Sequence, residues 1–238
     1  MKYNENNMKQ NFKNILAICI GILPLNIAMI WYRLTSSEEF TISDMLIYPL
    51  LIGGGSILLV WALNKYLLKQ NLGDFNIGKG KWYLDILIGI GLTLVYFLLV
   101  FIERATILNL LPQNSPPSRE VINLMISLAN NPLLLAIWLG PVVWIGVAIF
   151  EEVQRVFFMN CLWKLSKNKF WQISVIFFVA IIWGVLHLYQ GTFGIISVSI
   201  QGLVMGVYYY KYRRIWPLII SHALYDSIQI VMFVIQVS

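Results

Sequence analysis

Charge is scarce in this 238-residue chain: Asp, Glu, Lys and Arg make up 12% of it, about half the share usual in soluble domains. A water-exposed globular surface cannot be built at that level. Disorder is excluded as well, because 59% of the residues are hydrophobic and a disordered chain lacks apolar surface to bury. The apolar runs also lack the alternation of polar and apolar residues that the strands of a transmembrane β-barrel need. Cysteine is nearly missing. Cys19 and Cys161 both lie in apolar runs at a spacing that suggests neither a disulfide framework nor a metal site, so both read as small buried hydrophobes. The net charge of +6 comes from basic residues scattered in short loops, which leaves no nucleic-acid footprint.

What the chain has is long apolar runs and a mean hydropathy of +0.73. A run of about 20 residues crosses the ~30 Å of bilayer hydrocarbon as a helix. Seven candidate spans cover residues 15–32, 45–63, 82–102, 133–163, 170–187, 191–210 and 215–237, so the fold class expected is an all-α, polytopic transmembrane bundle. No small-residue cleavage pattern follows the first run, which reads as a retained anchor. With the N-terminus cytoplasmic, thirteen lysines and arginines fall in inner segments and three, Arg33, Arg104 and Arg119, in outer ones, as the positive-inside rule asks. The outer segments also hold Glu38, Glu39, Asp44, Glu103 and Glu120.

The connection 103–131 contains Pro112, Pro116 and Pro117 and a short apolar run, 121–128, expected to lie at the outer interface. No repeat or linker divides the chain, so residues 1–238 read as one integral membrane domain. Gly53, Gly54 and Gly55, and the pair Gly202 and Gly206, read as points of close helix packing. Trp31, Trp82, Trp171 and Trp216 fit an aromatic belt at span ends, and Pro24, Pro49 and Pro141 read as kinks. Asp85, near the inner end of the third span, reads as solvated.

Charges inside hydrocarbon are the informative anomaly, since each costs roughly 2.5–3.5 kcal/mol at a span centre and marks a functional candidate. The fourth span holds Glu151, Glu152 and Arg155, and the seventh holds Asp226. Arg155 is four residues from Glu151 and three from Glu152, so it can meet either carboxylate on one helical face. The only two histidines of the chain, His187 and His222, also lie in spans. Asp226 follows His222 by one turn. Gln201, in the middle of the sixth span, lines the same cavity or bridges helices.

These blocks resemble the CAAX protease and bacteriocin-processing family, also called Abi. Its pattern is a Glu-Glu-x-x-x-Arg block, a Phe-x-x-x-His block and a His-x-x-x-Asn/Asp block. Glu151-Glu152 with Arg155 resembles the first, Trp183 with His187 the second, and His222 with Asp226 the third; the run 187–191 and Trp216-Pro217 are similar as well. The resemblance covers about 132–230, a family-like core, while 1–131 matches only in being hydrophobic. Two residues separate Glu152 from Arg155 where the family has three, so the choice between Glu151 and Glu152 as the family's catalytic glutamate stays open. A local bulge or a different role for the arginine would absorb the missing residue. The resemblance implies a glutamate-dependent intramembrane endopeptidase in the cell membrane, acting on a peptide or membrane-protein substrate.

Peptide hydrolysis needs a base for water, a stabiliser for the oxyanion and a proton for the leaving amine. Glu151 or Glu152, with His187, suits the first task. His222, oriented by Asp226 through its second ring nitrogen, suits the second. No cofactor is required. A zinc version would take one glutamate with His187 and His222 as a His₂Glu set with an open fourth position. A non-catalytic scaffold or immunity protein of the same fold, with the displaced Arg155 marking lost activity, is the alternative function, and a proton-coupled carrier is a third. Counted along straight helices, the depths of Glu151, His187 and His222 differ by ~15 Å, so if they meet, either the fifth span begins outside the hydrocarbon, as Lys169-Phe170-Trp171 permits, or it is tilted or broken.

Overall fold

In hydrocarbon every backbone N–H and C=O must find its partner within the protein, and long apolar runs satisfy this by coiling into helices. The computed structural model describes residues 2–22, 26–27, 42–106 and 119–237, and all regular structure among them is helical. In chain order α1 is Lys2–Gly21, α2 Ile42–Ala62, α3 Trp82–Thr106, α4 Arg119–Asn130, α5 Pro132–Ile137, α6 Phe150–Trp163, α7 Lys169–Leu186, α8 Gly191–Tyr212 and α9 Trp216–Val237. A π-helical turn, Leu63–Leu67, continues α2, and a longer π-helical stretch, Trp138–Ile149, joins α5 to α6.

Among the described residues six stretches are long and apolar enough to cross a membrane: Pro49–Leu67, Trp82–Thr106, Pro132–Trp163, Lys169–Leu186, Leu188–Tyr212 and Trp216–Gln236. The chain is a multi-pass helical membrane protein. The six correspond to the second through seventh expected spans. The first expected span falls partly on residues outside the described ones, as do Pro24, Trp31 and the three prolines of the 103–131 connection. Within that connection the run 121–128 forms most of α4, a 12-residue helix that buries Leu124 and Leu128 and exposes Ile122 and Ile126.

The helix at the centre is α6, which buries its residues almost all round, from Glu152 through Met159. Around it pack α1, α2 and α7, while α9 lies against α3 and the π-helical stretch. The α7–α8 hairpin closes on small residues. A Cβ on Gly202 would stand 3.3 Å from the Ala180 Cα, and one on Gly206 would stand 2.6 Å from Ile176 Cγ2. Gly53 meets Gly146 in the same way, at 3.0 Å from its Cα, whereas Gly54 and Gly55 face open space and serve no packing contact. Pro141 does kink its span: Gly140 just before it leaves the helical region, with φ −87° and ψ −106°.

Three expectations are corrected. Asp85 is not solvated; it is 4% exposed and its carboxylate is held by Arg214 at 2.6 and 2.5 Å. Glu103 is not in an outer loop but inside α3, where it is buried. Cys19 is exposed on α1, turned away from the bundle, while Cys161 is buried as expected. Hydropathy places a residue in a span, but the rotation of the helix decides whether it faces protein or lipid.

Candidate active site

Glu151 and Glu152 open the first turn of α6, directly after the π-helical stretch. Neighbouring helical residues point about 100° apart, so the two carboxylates enter different surroundings. The Glu152 side chain is fully buried, whereas that of Glu151 keeps 16% of its surface exposed. The helix runs regularly from Glu151 through Arg155, and the widened, π-helical geometry lies before the glutamates rather than between them and the arginine. No bulge therefore lies between the glutamates and the arginine. Arg155 Nη1 donates to Glu152 Oε1 at 2.7 Å, and its Nη2 lies 3.8 Å from Glu151 Oε2. The guanidinium also covers the face of Trp183 at 5.3 Å and touches the sulfur of Met205.

Glu152 is shared. The oxygen that accepts from Arg155 also meets His222 Nδ1 at 2.8 Å, reaching from α6 to α9. The other ring nitrogen, Nε2, faces Asp226 Oδ2 at 3.4 Å, one turn further along α9. Both ring nitrogens of His222 thus face carboxylates, a short contact on one side and a long one on the other. A neutral imidazole donates one hydrogen bond and an imidazolium two, so this setting accommodates the charged ring.

His187 is oriented by its own backbone. It ends α7 at φ −94° and ψ 21°, where the chain leaves the helix, and its Nδ1 lies 2.8 Å from the Trp183 carbonyl oxygen. That oxygen can only accept, so Nδ1 donates, and the bond holds the ring with Nε2 turned toward Glu151. Nε2 lies 3.8 Å from Glu151 Oε1, too far for a direct bond and close enough for one water to bond both. The large aromatic expected one turn before His187, Trp183, supplies the orienting carbonyl and the ring under Arg155.

The six singled-out residues therefore come together as two units joined by Arg155. One is closed: Glu152, Arg155, His222 and Asp226. The other is open: Glu151 and His187. The side chains meet despite their unequal nominal depths along the chain. The oxygens Glu151 Oε2 and Glu152 Oε2 and the nitrogen Arg155 Nε are buried without hydrogen-bond partners. Buried polar atoms are usually satisfied, so these can form a hydrogen bond with water or substrate. The His₂Glu set is not assembled about one point, since each histidine meets a different glutamate; among the described residues no three His, Cys, Asp or Glu side chains could hold a metal ion.

Other neighbours carried no signal in the sequence. Met205 is one apolar residue among many in α8, and its contact with Arg155 spans 50 positions. Gln201 bridges helices, donating to the Tyr225 hydroxyl at 3.2 Å. Tyr225 itself packs edge-on against Tyr96, which is fully buried.

Residues 133–228 match the model of the family described as Rce1-like, type II CAAX prenyl endopeptidase Rce1-like. The match covers less than half of the chain and contains all six of these residues, over nearly the same stretch as the three-block resemblance. It supports a CAAX-type membrane protease. No curated protein and no solved structure matches the chain.

Proposed function

We propose that the chain is an intramembrane endopeptidase of the cell membrane, with its N-terminus in the cytoplasm, which hydrolyses a peptide bond of a membrane-presented peptide or protein. The observation that carries this reading is the open pair, Glu151 Oε1 and His187 Nε2 3.8 Å apart, beside unpartnered polar atoms. Glu151, rather than Glu152, is the base in this reading. Glu152 is fully buried with its Oε1 committed to Arg155 and His222, while Glu151 keeps 16% of its side chain exposed and faces His187.

A water held by Glu151 Oε1 and His187 Nε2 gives its proton to the carboxylate as its oxygen attacks the peptide carbonyl carbon. Negative charge develops on the carbonyl oxygen, and His222 supplies the stabilising donor. Its Nε2 contact to Asp226 is long enough to be exchanged for the oxyanion, while the short Nδ1 contact to Glu152 keeps the ring in place. Collapse of the tetrahedral intermediate breaks the C–N bond, and the proton on Glu151 passes to the leaving amine. Arg155, bonded to the same oxygen as His222 Nδ1, fixes the Glu152 carboxylate against the ring.

The test is cleavage of a set of candidate membrane-tethered peptides by the purified full chain, comparing it with Glu151→Gln, Glu152→Gln and His187→Ala, with and without a chelator. Loss of cleavage in Glu151→Gln and His187→Ala, with cleavage insensitive to chelator, supports the reading. A substrate cut equally by all the variants overturns it. If no peptide is cut while the variants still lose the protein's cellular effect, the scaffold reading replaces it.

A further inference from the structure

The half of the chain outside the family match makes one set of contacts that bears on the site. Along α3 the residues Asp85, Gly89, Thr93 and Tyr96 recur at helical spacing on one buried face. Each meets α9 or the turn before it. Asp85 takes both Nε and Nη2 of Arg214, at 2.6 and 2.5 Å. Gly89 lies so close that a Cβ there would stand 2.6 Å from Ile220 Cγ2. The Thr93 hydroxyl donates to the Ser221 carbonyl at 3.2 Å, and Tyr96 packs on Tyr225. Ser221 and Tyr225 immediately precede His222 and Asp226. One side of α9 is thus held by α3 while the adjacent side presents the two site residues to Glu152.

The turn at the foot of α9 is held from two directions. Arg213, left-handed at φ 52°, stacks its guanidinium on Trp163 at 4.3 Å and donates to Asn160 Oδ1 at 3.1 Å. Arg214 points the other way, to Asp85, and its Nη1 donates to the Gly78 carbonyl at 2.8 Å. Gly78 N–H returns a bond to the Arg213 carbonyl at 3.0 Å, and Asn76 Oδ1 accepts from Ile215 N–H at 3.1 Å. A side chain on Gly80 would collide with the Arg214 guanidinium. From Trp216, where α9 begins two residues after Arg214, to His222 is six residues, about 9 Å of helix. A helix transmits displacement of its foot along its axis, and the 2.8 Å contact of His222 with Glu152 tolerates little of it.

We infer that Asp85, through Arg214, is a positioning residue for His222, and that α3 is the strut that sets the height and rotation of the site's second histidine. This deepens the proposed function and rests on it for the catalytic consequence, but the geometric claim stands apart. The chain has only two histidines, so protein labelled with ¹⁵N-histidine reports each ring separately. In Asp85→Asn the ring signals of His222 are expected to move while those of His187 stay, and Asp85→Glu is expected to return them most of the way. For a cleaved peptide, kcat is expected to fall by up to about 10²-fold with KM within about twofold. Unmoved His222 signals in folded Asp85→Asn overturn the inference, as does an equal shift of both rings. Should Asp85→Asn fail to fold, Arg214→Lys, which keeps the charge and loses the fork, is judged by the same criterion. If no peptide is cleaved and His222 alone still moves, the protease reading fails and the strut remains.

Discussion

Among the described residues two buried arginines, Arg214 and Arg155, each hydrogen-bond a carboxylate, and the two pairs are built differently. In the pair of Arg214 and Asp85 both carboxylate oxygens are used, and a third guanidinium nitrogen bonds a backbone carbonyl. Every nitrogen of the guanidinium and both oxygens of the carboxylate have a partner. In the pair of Arg155 and Glu152 one oxygen serves both the arginine and His222, while the other oxygen and the arginine Nε have no partner. A completed pair holds helices, and an incomplete one keeps donors and acceptors available for a substrate or water. The cost of leaving buried polar atoms unsatisfied is what makes the second arrangement informative.

The largest effect expected on this contrast is chemical. Glu151→Gln preserves shape and removes the proposed base, so cleavage of a peptide substrate should fall by about 10²–10⁴-fold with the thermal unfolding midpoint nearly unchanged. A comparable drop in midpoint would mean that Glu151 is structural.

Next come the pairs themselves. Removing one partner, as in Asp85→Leu or Arg214→Met, should destabilise the protein by about 3–5 kcal/mol, because a buried charge is left alone; the double variant should recover most of that, as apolar replacements often do. The same double treatment of Glu152 and Arg155 should not restore cleavage, whatever it does to stability. Denaturant titration of the two series beside the peptide assay separates the cases. A double variant at 85 and 214 no more stable than the singles would break the comparison.

A smaller effect is expected at the hairpin that carries His187. A methyl on Gly184 would meet Ser199 Oγ and the Ile195 carbonyl, and backbone yields less readily than a side-chain tip. Gly184→Ala should therefore cost about 1–3 kcal/mol by overpacking and shift the His187 ring signals. The smallest effect belongs to the exposed Cys19: Cys19→Ser should change stability by less than about 0.5 kcal/mol. A larger loss would show that α1 is packed on that side.

Much of the site was legible because charge in an apolar span is costly and so stands out residue by residue. Glu151, Glu152, Arg155, His187, His222 and Asp226 all announce themselves in that way. Asp85 did not, for a physical reason: an acid near a span end can reach water, and its partner lies 129 positions away in a basic cluster that looks like an ordinary inner loop. Glu103 was misplaced for the same reason. The division of labour between the two glutamates was also hidden. Both obey the same spacing rule toward Arg155, and only the neighbouring helices distinguish them.

The sequence by itself determined the all-helical, membrane-crossing architecture, since hydropathy adds up along a run and backbone hydrogen bonding in hydrocarbon leaves helices as the solution for such runs. It also determined which side chains are too polar for their surroundings. Tertiary structure alone decided that Glu152 is closed in with His222 while Glu151 faces His187, and that α3 braces α9 through Asp85. Those outcomes depend on helix rotation and on contacts between segments far apart in the chain, which no local pattern encodes.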